Sequence, residues 1–340
     1  MSEHNLIIIT NEKISNKNES YYCDNIDIKI TAQKLQSFYD VTLVGRKSKS
    51  ECAHRLILND ISTFNNFFSF LINLKKFKIN PSTKFLVISL TPFSFCITVI
   101  LWLINKRVFL YFRSDGFKEY EKILGFLGPL IYGCMFSIST KISTLISCQK
   151  YILRKKIGFL VEPSQLNNKW FENTSTPSLK NINLLYVGRI KIEKGIFDLI
   201  EFIENKENIK LTIVGASDNK KNEIRRENID VFSIETEEKR LIEHYDKCNI
   251  FVLPSFTEGY PQVLIEALAR LRPVIIFKEI QHVVGKFNGI FVAERNYSSL
   301  EEKINYIKKN YRSIQADMKK NQLPTNNKFI EQIKEIISQN

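Results

Sequence analysis

The 340-residue chain has no Cys-x-x-Cys pair, no Gly-x-Gly-x-x-Gly fingerprint, no P-loop and no Asp-x-Asp run. Its four histidines are dispersed, and it carries no internal repeat or low-complexity array. The six cysteines (Cys23, Cys52, Cys96, Cys134, Cys148, Cys248) are scattered. That spacing argues against a disulfide frame or a zinc site and reads as reduced, mostly buried thiols of a cytosolic protein. Without the glycine motifs, a standard dinucleotide or P-loop phosphate cradle is excluded. No helix-turn-helix, zinc-finger or RNA-recognition signature is present, so nucleic acid is not the expected partner. The opening Met-Ser-Glu-His-Asn lacks the basic stretch and small-residue cleavage site of a secretion signal. The expected location is the cytoplasm.

An uninterrupted membrane span is lacking too. Residues 85–104 carry no charge over a spanning length. Thr91-Pro92 splits them into a strand-like Phe85–Leu90 and a twelve-residue apolar stretch, Phe93–Ile104, followed by a second strand at Val108–Phe112. Strand, short helix, strand is a buried βαβ unit, and that reading is preferred over a span. Residues 123–148 hold one charge, Lys141, but Gly125, Gly128-Pro129 and Gly133 interrupt a continuous spanning helix. This segment is either a core helix or an apolar surface segment lying against a membrane.

What is present describes a folded protein. The apolar share is 44% and the charged share 25%, as in globular chains. At this length two domains are expected. Net charge is +13, and it is uneven: residues 1–170 hold 23 Lys and Arg against 12 Asp and Glu, residues 171–340 hold 26 against 24. A basic first half suggests an anionic partner. Because the same half carries the greasiest segments, an anionic membrane surface fits better than nucleic acid. The competing explanation is a Lys- and Asn-rich composition with no partner behind it.

Strand and helix patterns alternate along the whole chain, which implies parallel, helix-covered sheets. In the first half, strands are expected at Leu6–Thr10, Asp40–Val44, Phe85–Ser89, Val108–Phe112 and Gly158–Val161. A polar loop is expected to Asn25 and an amphipathic helix over Ile61–Lys76. Between Pro163 and Asn183 the composition turns to Ser, Asn, Thr and Pro, as in an interdomain linker. A second series follows with strands at Leu184–Val187, Lys210–Val214, Val231–Ser233, Ile250–Leu253, Val274–Phe277 and Gly289–Val292. The tail from Ser298 is helical and charged.

Residues 253–275 are the most informative. An apolar strand runs into a Pro/Ser/Thr/Gly turn bearing Glu258, and a helix opens at Tyr260–Pro261, where proline costs nothing. Val263, Leu264, Ala267, Leu268 and Leu271 make its buried stripe, so Glu266 is expected to point off the core side. Two acids at the carboxyl end of a strand and on the next helix frame a polar crevice of the kind that binds ligands in open α/β sheets. A second cluster runs Leu184-Leu-Tyr-Val-Gly-Arg-Ile-Lys-Ile-Glu-Lys-Gly. It places Gly188, Arg189 and Lys194 ahead of a helix N-terminus, a combination suited to a diphosphate, although alone it is also compatible with a capped surface turn.

Together the two clusters resemble the retaining, GT-B-fold glycosyltransferases of family 4 (glycosyl transferases group 1). The matching residues are Val187-Gly188-Arg189, Glu193-Lys194-Gly195, Val214-Gly215, Pro254-Ser255, Glu258-Gly259, Glu266-Ala267-Leu268-Ala269 and Pro273-Val274-Ile275. The resemblance is good over 184–292 and limited in the first half to its βα rhythm. It implies two Rossmann-like domains with parallel sheets facing a cleft and a C-terminal helix that crosses back to the first domain. The implied division is 1–165 for an acceptor, 166–182 as linker, 183–320 for a nucleotide sugar and 321–340 as the final helix.

Roles follow from the resemblance. Arg189 and Lys194 would neutralise the donor diphosphate, making metal or any other cofactor unnecessary. Glu258 would hold the transferred sugar, backbone around Gly259, Tyr260 and Pro261 would touch sugar or phosphate, and Glu266 would bind ribose hydroxyls. Asp115, in Arg113-Ser114-Asp115-Gly116, could position or deprotonate an acceptor hydroxyl, or simply cap a helix. The implied partners are a UDP- or GDP-linked sugar, a glycan or polyprenyl-diphosphate-linked acceptor, and an anionic membrane surface, with the protein peripheral on the inner face of the cytoplasmic membrane. The implied activity is sugar transfer in bacterial surface polysaccharide synthesis (lipopolysaccharide or capsule). Competing readings are another GT-B chemistry such as a nucleotide-sugar epimerase, a catalytically silent partner-binding subunit, and an integral membrane protein spanning at 85–104.

Overall fold

A computed structural model describes residues 5–74, 80–217, 221 and 223–339. The chain divides into two compact units, one of residues 1–165 with 325–340 and the other of residues 166–324.

The first unit is built on parallel strands. These are β1 (Asn5–Lys17), β3 (Asp40–Lys47), β5 (Asp60–Phe64), β6 (Lys84–Ile88), β7 (Val108–Phe112), β8 (Thr144–Ser147) and β9 (Phe159–Leu160), in the order β5-β3-β1-β6-β7-β8-β9. Leu6–Ile9, Phe85–Ile88 and Val108–Phe112 are buried throughout, as strands covered on both faces must be. Its helices are α1 (Ile26–Leu35), α2 (Phe67–Leu74), α3 (Pro92–Leu103), α4 (Gly116–Leu124) and α5 (Leu127–Ile142).

Two expectations fail here. The polar stretch after Thr10 is no loop: β1 runs on to Lys17 and turns back through β2 (Ser20–Cys23), which pairs with β4 (His54–Leu56). Ile61–Phe64 is strand, because Ile61 and Thr63 are β-branched and the segment has β3 to pair with. Helix starts only at Phe67, and residues 75–76 of the expected helix lie outside the described residues. The apolar 85–104 segment is the expected βαβ unit. Its helix α3 has twelve residues and starts on a capping box between Thr91 and Ser94. Among the described residues no helix is long and apolar enough to cross a membrane.

The second unit has a six-stranded parallel sheet, β10 (Ile182–Val187), β11 (Ile209–Ala216), β12 (Ile229–Ser233), β13 (Ile250–Leu253), β14 (Val274–Phe277) and β15 (Ile290–Ala293). The order is β12-β11-β10-β13-β14-β15. Helices α6 (Ile196–Ile203), α7 (Glu238–Lys247), α8 (Gln262–Ala269) and α9 (Tyr297–Met318) cover it. Both units are α/β and Rossmann-like. The last helix, α10 (Asn326–Ser338), belongs to the first unit, where Phe329, Ile330, Ile333 and Ile337 join the core around Leu35 and Tyr39.

Residues 166–182 differ from a free linker. Trp170 is buried, and two fully buried arginines hold the segment down. Arg270 donates to the carbonyls of Trp170 and Glu172 and forks onto Asp246, while Arg272 donates to the carbonyl of Ser175. Composition alone hides this, because the polar segment supplies backbone acceptors to side chains a hundred residues away.

Candidate active site

In the second unit the chain lays down β10, β11 and β12 in one direction. It then returns to the middle and lays down β13, β14 and β15 in the other. The reversal lies between β10 and β13. In open α/β sheets the loops leaving the carboxyl ends of the strands at such a reversal form the edge where ligands bind. The loop after β10 carries Gly188, Arg189 and Lys194, and the loop after β13 carries Ser255, Glu258, Gly259, Tyr260 and Pro261.

The two loops touch. Lys194 Nζ lies 2.7 Å from Glu258 Oε1, with both side chains largely buried. Ser255 Oγ donates to the same oxygen at 2.6 Å. The Phe256 backbone N–H donates to the Glu193 carbonyl at 3.1 Å. Gly195 makes the approach possible: its φ is +63°, and a Cβ there would collide with the carbonyl oxygen of Pro254. On the other side of β10, Gly215 at φ +118° lets its backbone pass against Gly188.

Arg189 is exposed, and its guanidinium makes no hydrogen bond or ion pair among the described residues. Its carbonyl accepts from the Tyr186 hydroxyl at 2.8 Å. Burial, and then the nearby negative charge of Glu258, push the Tyr186 hydroxyl pKa well up, so this group remains a donor. The Glu193 carboxyl is held below its ordinary range by its own backbone N–H, then by Lys191 and Arg189. The edge is therefore cationic at Arg189 and ion-paired at Lys194. Helices α6 and α8 both begin here, at Gly195 and Pro261, and neither N-terminus has a side-chain cap. Their dipoles add positive potential at the same edge.

Glu266 departs from expectation. Residues Leu264 to Ala269 are all buried, so α8 has no solvent face for Glu266 to occupy. It is 4% exposed and accepts from the Tyr245 hydroxyl at 2.8 Å. An eight-residue helix closely enclosed by its neighbours leaves a stripe argument little to predict.

Asp115 lies in the first unit, after β7. It caps α4 by accepting from the Phe117 N–H at 3.1 Å and pairs with Arg154 at 3.3 Å, engaging both carboxylate oxygens. The structure thus brings Lys194 and Glu258 into contact, puts Gly188, Arg189, Gly259, Tyr260 and Pro261 on the same two loops, and gives Glu266 and Asp115 other partners.

Sequence reasoning missed Arg295. Its guanidinium stacks 3.9 Å over Phe256 and reaches Glu279 at 2.6 Å and Asp198 at 3.1 Å, tying the β13 loop to α6. The available signal was a cation two residues past the carboxyl end of a strand. His282 also belongs to this edge. Its Nε2 lies 2.8 Å from the carbonyl of Glu258, so that nitrogen carries the proton and donates, steadying the acidic loop.

Residues 168–323 match the glycosyl transferases group 1 family model. The capsular polysaccharide biosynthesis glycosyltransferase CapM of Staphylococcus aureus is 27% identical over 316 residues, 82% of each chain. Among solved structures, Anabaena Alr3699/HepE in complex with UDP and glucose superposes with a TM-score of 0.69 at 10% identity, covering 98% of this chain and 99% of that one. WaaG, a glycosyltransferase involved in lipopolysaccharide biosynthesis, gives 0.67 at 14%, covering 98% and 100%. The fold is that of these GT-B glycosyltransferases, and the matches mark the chain as a transferase enzyme.

Proposed function

We propose that this enzyme moves a sugar, with retention of anomeric configuration, from a nucleotide-sugar donor to a hydroxyl of a growing glycan or lipid-linked saccharide in bacterial surface polysaccharide synthesis. The observation that carries it is the Lys194–Glu258–Ser255 cluster at the strand-order reversal of the second unit. The donor would be UDP- or GDP-linked: HepE, which shares the fold, is described with UDP. CapM and WaaG are named for capsule and lipopolysaccharide synthesis, which supports a surface glycan as product.

Arg189 meets the diphosphate first, because its guanidinium is exposed and can fork onto two phosphate oxygens. Lys194 follows as a movable point charge, shared between phosphate and Glu258. The helix N-termini at Gly195 and Pro261 add N–H groups that need no reorganisation as charge develops on the leaving diphosphate. Glu258, fixed by Ser255 and Lys194, accepts hydrogen bonds from hydroxyls of the transferred sugar. With cations in these places the reaction is metal-independent, and a chelator leaves turnover unchanged. Glu266 acts on the ribose only through a hydroxyl reaching its Tyr245-bound carboxylate. Asp115 serves as helix cap, and the first unit supplies the acceptor side and works at an anionic membrane surface.

The test is product analysis with donor and acceptor saccharides. Free nucleoside diphosphate together with an elongated glycan whose new bond keeps the donor's anomeric configuration is the expected result. An isomerised nucleotide sugar without elongation would instead identify an epimerase. Full biological activity of Glu258→Ala would identify a silent binding subunit.

A further inference from the structure

Helix α5 of the first unit is apolar on two adjoining faces. Gly128, Tyr132, Met135 and Phe136 face inward and are buried. Leu127, Leu130, Ile131, Cys134 and Ile138, spaced i, i+3, i+4, i+7 and i+11, are exposed. An apolar helix stripe left open to water is normally one that something else covers. Its partner α4 ends in more of the same: Ile123 and Leu124 are exposed, and Phe126, in the turn between the helices, is 86% exposed. This turn is a built structure. Gly125 ends α4 at φ +62°, and Gly128 lets α5 press against the backbone of Tyr120, where a Cβ would not fit. Phe117 meets Tyr132 edge-on, with centroids 4.9 Å apart.

Charge identifies what covers the patch. Residues 102–156 hold ten Lys and Arg against three Asp and Glu. Lys118 and Lys122 share one side of α4, and Lys141 continues the apolar stripe of α5 at i+14; all three are exposed. Glu119 and Glu121 on α4 are the opposing charges nearest the patch in sequence, with Asp115 engaged by Arg154. Apolar side chains that enter a bilayer, flanked by exposed lysines that stay at its surface, match an anionic lipid leaflet. A second copy of this basic unit would instead bring like charges together. Helix α3, which packs beside α5, exposes Trp102, Leu103 and Ile104 at its carboxyl end. Both helices lead back to the amino ends of neighbouring parallel strands, so these residues lie at the same edge of the sheet as the carboxyl end of α5.

We propose that the α4–α5 hairpin, with the end of α3, is the surface by which this chain binds an anionic lipid bilayer. Phe126, Leu127 and Leu130 enter the acyl region, and Lys118, Lys122 and Lys141 lie on phospholipid head groups. This deepens the membrane-surface part of the proposed function and rests on it, but its test needs neither donor nor acceptor.

The experiment is sedimentation of the full chain with phosphatidylcholine vesicles, with and without phosphatidylglycerol. Wild type is expected to pellet with the anionic vesicles and be released by high salt. Phe126→Glu/Leu130→Glu is expected to reduce partition at least about tenfold, while circular dichroism and any thermal shift by nucleoside diphosphate stay as in wild type. In a Cys96→Ser background, an environment-sensitive probe on Cys134 is expected to shift to the blue on anionic vesicles. Equal sedimentation of wild type and the double variant would overturn the proposal. So would absence of lipid binding, or a lipid-free dimer that Leu130→Glu dissociates. If lipid binding fails while the donor shift persists, only the docking surface falls; the reverse outcome removes the sugar-transfer reading and leaves the surface standing.

Discussion

The two units build one architecture into two different surfaces. Each is a parallel sheet under helices, and each has an aspartate or glutamate on the loop after a central strand. In the second unit that acid, Glu258, meets a lysine from the loop across the strand-order reversal. In the first unit Asp115 turns back to cap its own helix and pair with Arg154. The first unit instead exposes large apolar side chains along α4 and α5. Under the proposed function, chemistry depends on two loops brought into contact by packing. Surface recognition needs only a helix whose outward face breaks the usual polar rule.

The largest expected effect tests whether the polar 166–182 segment is integral to the second unit. Arg270→Ala removes one of the two cations on Asp246 and the buried donor to three backbone carbonyls, and should cost about 3–5 kcal/mol. Chemical denaturation would read this as a lower midpoint; an unchanged midpoint returns the segment to the status of a tether.

Next comes the edge itself. Lys194→Ala or Arg189→Ala should lower turnover on the order of 10²-fold, about 2.7 kcal/mol, with the melting temperature little changed by Arg189→Ala and lowered by Lys194→Ala, which leaves Glu258 without its cation. If both variants keep wild-type turnover, the second unit loses its special status in the comparison.

Asp115→Ala should cost about 1 kcal/mol in stability, the ordinary value of an N-cap, and reduce turnover far less than Lys194→Ala. A turnover loss as large as that of Lys194→Ala at unchanged stability would make the first unit a partner in the chemistry.

Thiol reactivity separates the surfaces without perturbing either. Burial pushes the Cys148 and Cys248 thiols up to about 12, so they react slowly in the folded protein, whereas exposed Cys96 and Cys134 react at once. Mass spectrometry after brief alkylation checks this.

The smallest effect concerns the Arg295 strut. The Glu279 carboxyl is held below its ordinary 4.5 by the hydrogen bond from Arg295. Since its folded pKa is the lower one, its stabilisation is present above about pH 4.5 and is lost as pH falls below that. At roughly 1 kcal/mol or less for a partly exposed pair, Glu279→Gln should narrow the melting-temperature gap between neutral and acid pH slightly.

Much of this was legible in the sequence. The strands Ile250–Leu253 and Val274–Phe277 are short apolar runs bounded by turn residues and fall where expected. Glu258 and Lys194 could be named because each sits just past a strand, where a parallel sheet opens. What the sequence hid depends on long-range partners. Ile61–Phe64 needed β3 beside it to become a strand, and Glu266 needed Tyr245 above it to be buried. Arg270 is buried only because the backbone of Trp170 and Glu172, a hundred residues earlier, lies against it.

The most direct measurement is the thermal shift of wild type, Arg189→Ala and Lys194→Ala with UDP and GDP, since a ligand that binds the folded state must raise its melting temperature. One of the two nucleotides is expected to stabilise wild type, and each variant is expected to lose most of that gain. Undiminished stabilisation of both variants, or none of wild type by either nucleotide, would contradict a diphosphate site at this edge.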